Sequence, residues 1–163
     1  FDEWGEATKV VLVPAIQPDV TLLHVQEADA SGTARIKGLT FADVEQAKAA
    51  RHVILTCEKL VKTEALRAEP ENNQIPGIIV DAVVPTASGA YPTACYRYYD
   101  YDPVYLNAYR QYAQDDQSYK KYLQEWIFGT TDHPALLKKV GDGQLANIKA
   151  DLRTGYAVGL DRK

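Results

Sequence analysis

Glu27, Asp29 and Glu58 are the carboxylates best placed for chemistry, because each closes an apolar, β-branched run. Carboxylates paired at neighbouring strand ends can do acid–base or acyl-transfer work. An ordinary role competes and is favoured on residue grounds: Asp29 caps a turn, and Glu58 bonds a backbone group or a nearby lysine. His24, His52 and His133 are the only histidines, and none stands at ligand spacing with Cys or another His. No metal centre is expected. His24 lies inside an apolar run and reads as a satisfied core histidine. Cys57 reads as a small buried hydrophobe. Ser31, Ser88 and Ser118 belong to no nucleophile motif, and Gly32, Gly38, Gly77 and Gly89 are isolated turn glycines rather than a phosphate loop. Tyr99-Asp100-Tyr101-Asp102 has the look of a metal-binding acidic pair, yet Asp102 before Pro103 is equally a helix cap.

The elements that must position these groups follow from periodicity. Val10–Val13 and Val20–Val25 read as two buried strands split by a Pro14/Pro18 turn, with a polar elbow over 26–32. Residues 33–37 return as a short strand. A helix over 41–51 follows, with Thr40 as N-cap and Asp43 three residues on. His52–Cys57 is the next strand, so the order is strand, helix, strand, the sign of a parallel βαβ unit. Such sheets gather chemistry where strands end at their carboxyl side. Here that means 26–29 on one strand, and Cys57 with Glu58 on its neighbour.

Beyond the βαβ unit, Leu60, Val61 and Leu66 are expected to face inward, and Ile78–Val84 to form a fourth buried strand. All but one of the 11 tyrosines fall between Tyr91 and Tyr122, a concentration that suits packing or an interface with another chain. Asp102 and either Asp115 or Asp116 cap helices. Tyr119, Tyr122, Leu123, Trp126 and Ile127 form a helical stripe. Two shorter helices span 134–140 and 144–154, the last with Leu145, Ile148 and Leu152 inward. The fold class is therefore α/β, an open, mostly parallel sheet with flanking helices and a helical C-terminal region. Residues 1–163 form a single domain, with a sheet portion over 1–100 and a helical tail over 101–163.

Composition narrows the function classes. The net charge is −4 with no basic block, so nucleic acid is not an expected partner. No apolar run nears the roughly 20 residues of a membrane span, so a membrane is not expected either. Two lone cysteines fit a reduced, cytoplasmic setting. The absence of methionine and the abrupt start FDEWGEATK suggest a piece of a longer polypeptide.

PAIQPDVTLLHVQEADASGTARIKG resembles the middle signature of the alpha subunit of class I coenzyme A transferases. IPGIIVDAVV, then GAYPTACY and YYDYD, are similar to the glutaconate type, and the likeness runs from Val10 to Trp126. The resemblance implies an open α/β fold in a hetero-oligomer with a beta subunit. It implies transfer of CoA between carboxylic acids through a glutamyl-CoA thioester. In that family the nucleophilic glutamate lies in an ENG-like motif of the beta subunit, and the glycine-rich oxyanion segment in the amino-terminal half of the alpha subunit. Neither motif occurs here, so the chain resembles the carboxyl-terminal portion of an alpha subunit, and no catalytic residue is expected in it. Gln26, Glu58 and Tyr91 are the expected substrate-pocket residues. The coenzyme A thioester is substrate, and no covalently bound cofactor is implied. Some relatives hydrolyse or ring-open CoA thioesters instead. A non-catalytic partner-binding subunit is a further alternative. A sugar-phosphate isomerase is a third, against which the glutaconate-type tail argues.

Overall fold

The computed structural model describes residue 5 and residues 9–160. Its centre is a four-stranded open sheet of order β2-β1-β3-β4. Strands β1 (Val20–Ala28) and β3 (His52–Leu60) pair in parallel from Val20↔His52 to Ala28↔Leu60. Strand β4 (Ala82–Pro85) joins β3 in parallel, and β2 (Ala34–Arg35) returns antiparallel to the end of β1. Helix α1 (Asp43–Ala49) makes the β1–β3 crossover. The parallel unit and the mostly parallel sheet expected from the sequence are thus present.

The core is one face of this sheet. Leu23 and Val25 of β1 pack with Val53, Leu55 and Cys57 of β3, under Ala47 of α1 and Ile75. Period-two geometry sends the alternate residues to the other face. There Val20 and Leu22 are exposed. Helix α2 (Thr63–Arg67) is held by Arg35, which is nearly buried and donates to the carbonyls of Ala65, Leu66 and Glu69 and to Asn73 Oδ1.

The tail carries α3 (Pro103–Tyr112), α4 (Asp116–Tyr122) continued by a π-turn through Ile127, α5 (His133–Val140) and α6 (Asp142–Asn147). Asp102 and Asp115 are the N-caps of α3 and α4: each accepts two backbone N–H bonds. Tyrosine rings then stack edge-on, Tyr91 on Tyr105 and Tyr105 on Trp126. A second small core gathers Tyr91, Cys95, Tyr99 and Ile148.

Several expected elements differ. Val10–Val13 is no strand: its side chains are at least 75% exposed, and it pairs with nothing among the described residues. An apolar run marks a segment that gains from cover, and this chain's described part offers it none. Helix α1 starts later than expected and is not capped by Thr40. Ala42 is the N-cap residue, and Asp43 instead accepts from the Phe41 N–H. Residues 77–79 form a 3-10 turn, so β4 begins only at Ala82 and is an exposed edge rather than a buried strand. Gly77 lets this turn pack against the loop after β1: a Cβ there would lie 2.4 Å from the Ser31 carbonyl. Leu60, expected inward, is 47% exposed, while Leu66 is buried. The last helix stops at Asn147, because Ile148 gives its carbonyl to the Asp100 N–H and the Ala150 N–H goes to Tyr98 O. Leu152 consequently lies exposed.

Candidate functional site

The carboxyl ends of β1 and β3 meet the tail around Glu58. Its side chain is almost fully shielded, and its carboxylate accepts three hydrogen bonds. His24 Nε2 lies 2.8 Å from Oε1, the Tyr99 hydroxyl 2.5 Å from Oε1, and the Ser88 N–H 2.8 Å from Oε2. Burial alone would raise this carboxyl. The bonds from His24, Tyr99 and Ser88, with the His24 charge, outweigh burial and hold it below its ordinary value. Tyr99 is pushed the other way, by burial and then by the Glu58 bond and charge. An ionised carboxylate only accepts, so the Nε2 side of His24 carries a proton. His24 Nδ1 lies 2.8 Å from Thr56 Oγ1, which also donates to the Leu23 carbonyl at 3.3 Å. Both ring nitrogens are thus engaged. This suits holding a wall in place better than taking a proton from a substrate.

Beside this cluster opens a cleft of about 530 Å³. His24, Gln26, Lys37, Cys95, Tyr96 and Tyr99 are among its walls. Gln26 is buried, and its side-chain amide imitates a strand pairing. Oε1 accepts from Lys37 N at 3.0 Å, and Nε2 donates to Lys37 O at 3.2 Å and Tyr96 O at 3.4 Å. Lys37 Nζ pairs with Glu27 at 2.7 Å. The cleft therefore has apolar and aromatic walls with the His24 imidazole, the Gln26 amide, the Glu27-paired Lys37 ammonium and the Asp43 carboxylate among them.

The three carboxylates singled out in the sequence do not assemble. Asp29 caps the turn, its Oδ1 accepting from Ser31 N, Ser31 Oγ and Thr33 N. Glu27 pairs with Lys37, and Glu58 takes the expected backbone bond, from the Ser88 N–H, together with bonds from His24 and Tyr99. Of the three expected pocket residues, Gln26 borders the large cleft. Glu58 sits behind His24 and Tyr99, outside the lining. Tyr91 borders two smaller cavities of about 260 Å³ each and donates to buried Asp102 at 2.7 Å.

His24, Glu58 and Cys95 place their donor atoms within 4.8 Å of one another. Spacing carries no sign of this, because Cys95 arrives from the long connection between β4 and α3. As they stand, His24 and Glu58 share a hydrogen bond. The Cys95 thiol is pushed up to about 12 by burial and then by the Glu58 charge, against a smaller opposing pull from Lys37. A cation would have to displace both protons, so the hydrogen-bonded cluster is the state this geometry describes. Sequence reasoning overlooked Tyr99 and the Ser88 N–H. Their only local signal was the YYDYD string and the Ser88-Gly89 turn.

Residues 4–86 match the family model described as Coenzyme A transferase. The A subunit of glutaconate CoA-transferase from Acidaminococcus fermentans is 40% identical over 155 residues, 95% of this chain and 48% of that protein. The crystal structure of glutaconate coenzyme A-transferase from the same organism superposes with a TM-score of 0.91 at 39% identity. That match covers 96% of this chain and 50% of that one. The cholesterol ring-cleaving hydrolase IpdA subunit of Rhodococcus jostii is 27% identical over 88% of this chain and 50% of that protein. The chain spans about half the length of the curated relatives it matches. No helix among the described residues is long and apolar enough to cross a membrane.

Proposed function

The chain belongs to the coenzyme A transferase family, and from that premise we propose that it is part of the alpha-type subunit of an acyl-CoA:carboxylate CoA-transferase. The observation that carries this reading is 40% identity, across 95% of the chain, to the A subunit of a glutaconate CoA-transferase. Residues 1–163 make one α/β domain of that longer polypeptide, with a sheet portion to residue 100 followed by a helical tail. A beta subunit supplies the nucleophilic glutamate, and the two form a hetero-oligomer. The glutamate carboxylate attacks the acyl-CoA carbonyl, the CoA thiolate leaves, and thiolate attack on the resulting anhydride releases the acid and forms glutamyl-CoA. An acceptor acid then takes the CoA by the reverse steps. No residue of this chain forms a covalent bond in that scheme. Gln26 lines the acid pocket with its amide, Glu58 supports the wall from behind, and Tyr91 shapes the adjoining cavities. Coenzyme A thioester and carboxylic acid are the substrates, and the free thiols Cys57 and Cys95 suit the cytoplasm.

The test is to assemble the two kinds of subunit, add acyl-CoA, and trap with hydroxylamine or borohydride. A glutamate of the beta subunit recovered as its hydroxamate after hydroxylamine, or as the primary alcohol after borohydride, with CoA released in both cases, is the expected result. Likeness to the ring-cleaving hydrolase favours a second reading, CoA-thioester hydrolysis or ring opening. Free CoA released without any acceptor acid, and no glutamate converted to hydroxamate or alcohol, would decide for it.

A further inference from the structure

We infer that Glu58 is a positioning residue, tying the tyrosine-rich tail to the carboxyl ends of β1 and β3 and so setting the shape of the neighbouring cleft. Its three donors come from three separated segments, 30, 34 and 41 residues away in sequence. His24 belongs to β1, Ser88 to the loop after β4, and Tyr99 to the tyrosine-rich stretch that leads into the tail and bridges to its Lys149. Glu58 is not part of the cleft lining, but His24 and Tyr99 are. It therefore acts through them.

The loop is built around this tie. Ser88 adopts φ 57°, a left-handed conformation that costs a non-glycine residue free energy, and its N–H reaches Oε2. Gly89 follows, and a Cβ there would lie 2.6 Å from His24 Cε1, so only glycine lets the loop close on the imidazole. The Ala90 N–H then donates to the Tyr99 hydroxyl at 2.8 Å while that hydroxyl donates to Glu58. Three consecutive residues thus serve one carboxylate. A further polar link from β1 to the tyrosine-rich stretch, Gln26 Nε2 to Tyr96 O, is long at 3.4 Å. Without Glu58 the tail keeps its own small core but loses its alignment over the strand ends.

Glu58→Gln tests this, because glutamine keeps the shape but cannot accept at both oxygens. Amide exchange is followed segment by segment in the assembled protein. Residues 88–100 should exchange about tenfold faster while β1 and β3 keep their protection, as loss of one charge-assisted bond predicts. In the transfer assay KM for the acid should rise about tenfold with kcat within about threefold, the split expected when binding geometry alone is disturbed. Unchanged exchange over 88–100 overturns the inference, as does equal loss of protection in β1 and β3. If Glu58→Gln does not fold, Tyr99→Phe removes one donor and spares the carboxylate; faster exchange over 88–100 supports the tie, and unchanged exchange overturns it. Only the kinetic arm rests on the proposed function. A wild-type assembly that transfers no CoA defeats that function and leaves the exchange test standing.

Discussion

Leu23, Val25, Val53, Leu55 and Cys57 leave one face of the sheet and are no more than 7% exposed, whereas Val20 and Leu22, out of step on the same strand, stand 50% and 72% exposed. The first face is covered by α1 and the segment around Ile75 to Val80. Among the described residues the second is roofed only at its carboxyl end, where the segment around Tyr99 docks on His24 and Glu58. That second face is apolar at Val20, Leu22 and Ile54 and turns polar toward the carboxyl end, at His24, Gln26, Thr56 and Glu58. Apolar composition therefore marks where cover is favourable, and the fold marks where this chain supplies it. The bare amino end and the exposed run Val10–Val13 are surface of the kind folded proteins bring to another segment or another chain.

The largest effect should come from the finished face. Leu55→Ala, at a fully buried position, should cost roughly 2–5 kcal/mol in denaturant unfolding. A midpoint that does not move would erase the contrast between the faces. Next is the roof. Asp102 is 1% exposed and accepts from Tyr91, Gln144 and the N–H groups of Val104 and Tyr105. Asp102→Ala should cost about 2–3 kcal/mol from the lost cap and stranded donors. The aromatic near-UV signal should fall with the far-UV sheet signal retained, and joint loss of both would mean that roof and sheet are one unit.

A milder probe is acid. The Glu58 carboxyl lies below its ordinary value of 4.5 when folded, so its contribution is full above that value and is lost as pH falls through the lower folded value. Below pH 4.5 the tail should loosen before the Leu55 face does, and tyrosine fluorescence against far-UV dichroism reads the order. Simultaneous loss would count against a separable roof. The smallest effect is on the bare end. Leu22→Ala should change the stability of this chain by no more than about 0.5 kcal/mol. In the complete assembly the same substitution should cost more. Equal values in both settings would show that the face stays bare.

Much of this architecture was legible because its signals are local. Apolar β-branched runs around a helical period point to β1, α1 and β3, and Asp-Pro and Asp-Asp point to the caps of α3 and α4. What was hidden depends on partners distant in the chain. Nothing near Ile148 announces that its carbonyl will serve Asp100, and so the last helix reads too long. The Val10–Val13 run carries a burial signal with no address for the partner. At the site, the strand ends marked 26–29 and Glu58 as places where polar groups gather. That Glu58 would be held by Tyr99, 41 residues on, could not be read, since a tyrosine in an aromatic stretch looks like packing.

The two cysteines divide between the same regions. Cys57 sits in the sheet core and Cys95 under the tail, both free and both buried. Burial raises both thiols, Cys95 to about 12, so neither offers appreciable thiolate at neutral pH until its surroundings part. An alkylating reagent should therefore label each at the rate its own region opens, and the molecule carries a built-in pair of reporters that needs no engineered label.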